Sequence, residues 1–308
     1  MIFLGFDTSN YTTSVGAVDE KGYQNIRSIL PVKEGERGIR QSDGVFLHTK
    51  NIASLFNKLN IEDTVGAVGI STRPRSVDGS YMPVFAVGEA FGRGIAKAFS
   101  VPVYEFSHQD GHIMAGIYSA NAYELLEEDF MSLHLSGGTT EILKTSPKNN
   151  FTHQIIGGTT DISAGQYIDR IGVKLGLPFP CGVHLEKLCY NASGVIPMPV
   201  SVNGTNMSFS GVETKMTELI GKYSSCDIAF SVLKNIAATL IKSLNNAIRE
   251  TNIHKLLIVG GVASNSLIRD ELSKKVDAML YFATPELSSD NAVGISCLAE
   301  LKWRNKWI

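Results

Sequence analysis

Phe6-Asp7-Thr8-Ser9-Asn10-Tyr11-Thr12-Thr13-Ser14-Val15 has a counterpart later in the chain, Leu135-Ser136-Gly137-Gly138-Thr139-Thr140-Glu141-Ile142. Each reads as a strand, a small polar turn, a Thr-Thr pair and a returning strand. A repeated strand-hairpin start followed by alternating strands and helices predicts α/β architecture in two related lobes. Such lobes present opposed turns to a shared cleft. Turns with exposed amides and hydroxyls are good clamps for polyphosphate.

Working outward, residues 2–7 read as a strand, with Ser9-Asn10-Tyr11 as the turn into a second arm from Thr13 to Val18. The pattern predicts a helix over 50–59, a buried strand over 65–71, a helix over 84–99 and a short strand over 101–106. A helix is expected from His108 to about Tyr118. The second cycle reads as strands over 131–136 and 141–144, helices over 163–176 and 226–251, and a strand over 256–259. A helix over 264–277, a strand over 279–282 and a closing helix over 291–303 complete it.

The chain has 308 residues, 28 Lys and Arg against 30 Asp and Glu, so no global basic excess marks it for nucleic acid. RNA binding would need a local patch or a partner protein. Cys181, Cys189, Cys226 and Cys297 form no CxxC pair, so neither a zinc knuckle nor a disulfide framework is suggested. The N-terminal residues run straight into a strand without a basic, cleavable leader, and no apolar run is long enough for a bilayer. The expected location is a reducing cytoplasm, with no membrane partner.

His108 and His112 stand four residues apart, on one face of a helix. Both imidazoles can therefore reach one divalent ion. A surface or satisfied His pair has the same spacing. A zincin mechanism needs a Glu directly after the first His, and Gln109 there cannot take a proton. Asp290, ahead of a small-residue helix, is the best candidate for a third ligand, with a helix-capping Asp as the ordinary alternative. Two His and one carboxylate would suit iron, zinc or another divalent ion.

Paired glycines at 137–138, 157–158 and 260–261 let backbone approach a ligand, or simply turn the chain. In Val259-Gly260-Gly261-Val262-Ala263-Ser264-Asn265 the amides at a helix start could receive an anion, and Asn265 could bond a base or ribose. The plainer reading has Ser264 capping that helix.

Seven blocks taken in order resemble the TsaD family of tRNA threonylcarbamoyl-transferases, formerly called O-sialoglycoprotein endopeptidases. They are 3–9 (FLGFDTS), 108–112 (HQDGH), 135–138 (LSGG), 169–182 (DRIGVKLGL with PCG), 208–211 (SFSG), 260–265 (GGVASN) and 289–292 (SDNA). The resemblance implies an actin-like, sugar-kinase-like fold of two RNase-H-like lobes around a nucleotide cleft. An N-terminal lobe of 1–106, completed by the helix of 291–308, and a C-terminal lobe of 107–290 carrying most metal and nucleotide contacts are expected. The resemblance further implies one divalent metal (iron or zinc before magnesium) on His108, His112 and Asp290. His134, Leu135, Ser136, Gly137, Gly138, Asp169, Gly182 and Asn265 would take an adenine nucleotide or acyl-adenylate. Thr8, Ser9, Thr139, Gly260 and Gly261 are candidate phosphate-facing positions. No catalytic base is assigned. The implied reaction passes a threonylcarbamoyl group from its adenylate to an adenosine beside the tRNA anticodon, within a complex that includes an actin-like paralogue.

The chain also departs from that family's pattern. Asn10-Tyr11-Thr12 replaces Cys-Asp-Glu, Arg73-Pro74-Arg75 replaces Gly-Pro-Gly, Thr139 replaces a His, and Glu213 replaces a Lys. The Arg40–His48 stretch does not match the family's usual helix. A paralogue that binds nucleotide without modifying tRNA is therefore a second reading. A small-molecule kinase using Asp7 is a third, a peptidase, against which Gln109 argues, a fourth, and a non-enzymatic partner protein a fifth. The tail from Trp303 to Ile308 reads as packing.

Overall fold

The computed structural model describes residues 1–9, 11–31, 39–77, 79–148 and 151–305, so Asn10 and residues 306–308 lie outside the described residues. The chain divides into two compact units, 1–127 with 147–152 and 286–308, and 128–146 with 153–285.

The first unit holds β1 (Ile2–Ser9), β2 (Thr12–Asp19), β3 (Gly22–Ile29), α1 (Gln41–Phe56), β4 (Val65–Arg73), α2 (Phe85–Phe99), β5 (Val103–Ser107) and α3 (His108–Ser119), with the last helix of the chain, Val293–Trp303, returning to it. Its sheet order is β3-β2-β1-β4-β5. β1 runs antiparallel to β2 and parallel to β4, and β4 runs parallel to β5. β1 is apolar and β-rich and buried along its whole length. Its Leu4 and Phe6 share a core with Val15, Ile52, Val68 and Ile70. Trp303 packs at a tilt against Phe3, with ring centroids 5.5 Å apart, and residues 306–308 of the tail lie outside the described residues.

The second unit holds β6 (Phe130–Leu135), β7 (Thr140–Ser146), β8 (Thr152–Thr159), α4 (Ala164–Lys174), α5 (Gly182–Cys189), β9 (Val202–Asn203), β10 (Asn206–Met207), α6 (Ser210–Thr217), α7 (Ser225–Thr251), β11 (Lys255–Val259), α8 (Ser266–Lys275) and β12 (Met279–Phe282); the returning helix of the first unit is α9. The order β12-β11-β6-β7-β8 repeats the order of the first sheet, with β10 and β9 added at the edge. β6 is antiparallel to β7 and parallel to β11, as β1 is to β2 and β4. The echo between the two Thr-Thr hairpins therefore marks a repeated sheet. α7 covers the second core with Ile228, Val232, Ile236, Leu240 and Leu244, a run at helical spacing.

The boundaries differ from expectation: the first unit also takes 147–152, and its returning segment starts at 286 and not at 291, which includes Asp290. The first unit extends through α3 and does not end at residue 106. The reason is packing between α3 and α9. A Cβ at Gly294 would lie 1.9 Å from the Gly111 carbonyl oxygen, so the two backbones cross in direct contact and α3 stays with the first unit. The metal-ligand candidates accordingly all belong to the first unit, against the expectation that the second carries them. No helix among the described residues is long and apolar enough to cross a membrane.

Candidate metal centre

β5 ends at Ser107, which caps α3. Its hydroxyl accepts from the Asp110 amide at 3.1 Å, and the Asp110 carboxylate accepts from the Ser107 amide at 2.7 Å. This reciprocal cap fixes where the helix starts. His108 is thereby the first helical residue and His112 lies one turn on. The α3–α9 crossing then brings the segment before α9 against that turn. Asn291, whose Oδ1 accepts from the amides of Val293 and Gly294, serves the start of α9. The capping alternative for Asp290 therefore falls, and its carboxylate is released to the histidines.

The three side chains offer ligand atoms all within 4.8 Å of one another. His112 Nε2 lies 3.1 Å from Asp290 Oδ1 and 3.0 Å from His108 Nε2, and His108 Nε2 lies 3.6 Å from Asp290 Oδ1. A tetrahedral ion with bonds near 2.0–2.1 Å needs donor separations of about 3.4 Å, so this set fits a zinc-like ion. The surroundings fit too. His108 Nδ1 is 2.6 Å from the buried Asp7 carboxylate, which accepts a further bond from Ser71 Oγ. A carboxylate behind a ligating imidazole fixes its orientation and leaves Nε2 to the ion. Ser9 Oγ and Thr12 Oγ1 donate to Asp290 Oδ2, each at 3.1 Å.

Electrostatics follow from this arrangement. Burial alone would lower the His108 pKa, but the charge and hydrogen bond of Asp7, with Asp290 behind, raise it to about 9. Burial opposes ionisation of Asp290. The hydrogen bond from His112, the charges of both histidines and the Thr12 hydroxyl outweigh it and hold the carboxyl well below the usual range.

Several expected positions have other duties. Thr8 is fully buried, donates to the Val84 carbonyl and accepts from the Gly88 amide, so it seats α2. Ser9 donates to Asp290 Oδ2. The Asp7 carboxylate, which the kinase reading would use, bonds His108 and Ser71. Thr12, at a departure from the family pattern, was missed from sequence. Its only signal is a hydroxyl beside a strand turn. Arg73 donates to Thr72 Oγ1 at 3.1 Å, and the Pro74 carbonyl accepts from the Gln109 amide, tying the Arg-Pro-Arg turn to α3.

In the second unit Ser136 and Thr139 close the β6–β7 turn through reciprocal bonds at 2.9 and 3.1 Å, placing Leu135, Ser136, Gly137 and Gly138 at the end of β6 beside His134. Asp169 Oδ1 accepts from the Cys181 amide at 2.8 Å, ahead of Gly182 and α5, and burial raises its pKa. Asn265, not Ser264, caps α8, its Oδ1 accepting from Ile268 at 3.0 Å. The glycine pairs separate into two kinds. At Gly157 and Gly158 a Cβ would strike the Thr205 and Thr140 carbonyl oxygens, and Gly260 adopts φ +106° against Leu135. A Cβ at Gly137, Gly138, Gly182 or Gly261 would meet nothing within 4 Å, so the chain's own packing does not require glycine there.

The duplicated sheets and their order define an α/β protein of the actin-like, sugar-kinase type. HypF in its phosphate- and nucleotide-bound form has the same fold, with TM-score 0.59 at 15% identity, covering 99% of this chain and 55% of that one. A ROK family glucokinase from Streptomyces griseus gives TM-score 0.55 at 13% identity, with 97% and 99% covered. The TsaD family, described as tRNA N6-adenosine threonylcarbamoyltransferase, matches residues 47–297. The chain is 29% identical over 306 residues to a tRNA N6-adenosine threonylcarbamoyltransferase of Thermococcus sibiricus, covering 96% of this chain and 90% of that protein. It is 28% identical over 320 residues to a probable bifunctional tRNA threonylcarbamoyladenosine biosynthesis protein of Thermoplasma volcanium, covering 99% of this chain but 57% of that protein. This chain belongs to the TsaD family.

Proposed function

We propose that this chain transfers a threonylcarbamoyl group from threonylcarbamoyl-adenylate to the exocyclic amine of an adenosine beside the tRNA anticodon. The observation that carries the reading is the convergence of His108, His112 and Asp290 in one unit of a TsaD-family chain. In this reaction the amine nitrogen attacks the carbamoyl carbon, the bond from that carbon to the phosphate oxygen breaks, AMP leaves, and the amine gives up a proton. A divalent ion bound by the three side chains would supply Lewis acidity and a template for the mixed anhydride. Asp7 holds the His108 ring, and Ser9 and Thr12 hold the Asp290 carboxylate, so that ligand atoms are set before substrate arrives. We assign the adenylate to Ser136, Gly137, Gly138, Asp169, Gly182 and Asn265. The space on the Cβ side of Gly137, Gly138, Gly182 and Gly261, where a side chain would meet nothing within 4 Å, supports this, since a ligand could approach the main chain there. The proposed setting is the cytoplasm, with tRNA and an actin-like paralogue as partners. The test is restoration of the modified adenosine in cells depleted of their own enzyme. Restoration by the wild-type chain and not by His108→Ala supports the reading, and failure of the wild type overturns it.

A second reading, a nucleotide-binding paralogue, is favoured by the second-unit departure at Glu213. This buried carboxylate pairs with Lys174 at 2.8 Å where the family pattern has a Lys. Binding of the adenylate without transfer to tRNA would establish it.

A further inference from the structure

We propose that the β1–β2 hairpin sets the denticity of the metal centre: Ser9 and Thr12 restrict Asp290 to one ligating oxygen and so keep a coordination position open for substrate. The proposal rests on reading His108, His112 and Asp290 as a metal site.

The two oxygens of Asp290 have different surroundings. Oδ2 accepts from Ser9 Oγ and from Thr12 Oγ1, each at 3.1 Å. Oδ1 is the oxygen 3.1 Å from His112 Nε2 and 3.6 Å from His108 Nε2. Two hydroxyl donors occupy the lone pairs of Oδ2 and stop the carboxylate from rotating. Both donors are almost fully buried, which shields these bonds from exchange with water. The backbone is pinned as well, since Arg27 Nη1 on β3 donates to the Asp290 carbonyl at 3.2 Å. A carboxylate free to turn can chelate through both oxygens. That would fill the position an acyl-adenylate needs. Catalytic zinc-type sites keep three protein ligands and one exchangeable position. Ser9 and Thr12 are thus positioning residues that act through Asp290.

The test uses the full chain loaded with Co2+, whose visible bands are intense when four-coordinate and weak at higher coordination, with affinity read by chelator competition. Wild type is expected to show the intense bands. Thr12→Val is expected to lose intensity and bind about tenfold more weakly, as losses around ligands commonly do, while Thr12→Ser keeps both properties. Ser9→Ala carries the same expectation where Thr12→Val fails to fold. A variant lacking a hydroxyl but keeping the wild-type spectrum and affinity overturns the proposal. So does a Thr12→Ser protein as impaired as Thr12→Val. Wild-type protein that takes up no Co2+ overturns the metal reading itself, and the proposal with it.

Discussion

Gly294 of α9 packs against Gly111 of α3 so closely that a Cβ at Gly294 would sit 1.9 Å from the Gly111 carbonyl oxygen and 2.7 Å from the Ala115 amide. The obstruction is backbone on both counts, so no side-chain rotation relieves it. The crossing also brings Asp290 to His112. Gly294→Ala is expected to lower stability by about 3 kcal/mol, the upper end for overpacking. It should also weaken metal binding more than a loss of stability alone explains. Denaturant unfolding and chelator competition on the same protein check this, and wild-type values in both would refute it.

Ligation needs a neutral imidazole, whereas Asp7 and Asp290 raise the His108 pKa to about 9. Below that pH the metal-free protein must release the proton before His108 can bind. Apparent metal affinity should therefore rise about tenfold per pH unit between pH 6 and 8, with about one proton released per ion. Calorimetry in buffers of different ionisation enthalpy measures this, and affinity independent of pH would contradict it.

Much of the first unit was legible because its signals are local. β1 and β4 are apolar runs, and the His pair follows a Ser with an Asp at the third helical position, the cap signature. α1 was read late, from residue 50 where it starts at Gln41, because Gly44 and the polar Gln41-Ser42-Asp43 hide its first turns. β3 and β8 carry Gln24, Asn25 and Arg27, or Thr152, His153 and Gln154, on half-exposed strands with no clean alternation. The short helices α5 and α6 escaped for want of length. At the site, the candidate ligands were legible as residue types, but the hydrogen bonds of Thr8, Ser9 and Thr12 were not. A hydroxyl's partner is set by which strand end the fold places beside it.

Among the glycines, Gly138 and Gly261 meet nothing where a Cβ would stand, and neither has positive φ. Gly138→Ala and Gly261→Ala should therefore keep stability within about 0.5 kcal/mol of wild type, while adenylate affinity falls at least severalfold if backbone approaches the nucleotide there. Thermal melts with and without ligand separate the two effects. Unchanged affinity in both variants would remove these positions from the site.

Glu213 is buried and accepts from Lys174 at 2.8 Å, with Arg170 3.9 Å away. Glu213→Lys, which restores the family's charge, would set like charges together in a half-buried place. A loss of about 2 kcal/mol is expected, between the values of exposed and buried pairs. Urea unfolding measures it, and a neutral or stabilising outcome would show that the pair contributes nothing.

The most direct measurement is calorimetric titration of a non-hydrolysable threonylcarbamoyl-adenylate analogue into metal-loaded and metal-stripped protein. Saturation at one analogue per chain in the loaded form, with affinity at least about tenfold weaker once the ion is removed and little such dependence for AMP, is the result predicted. Equal affinity in the two forms, or no binding to either, would contradict an acyl-adenylate site built around His108, His112 and Asp290.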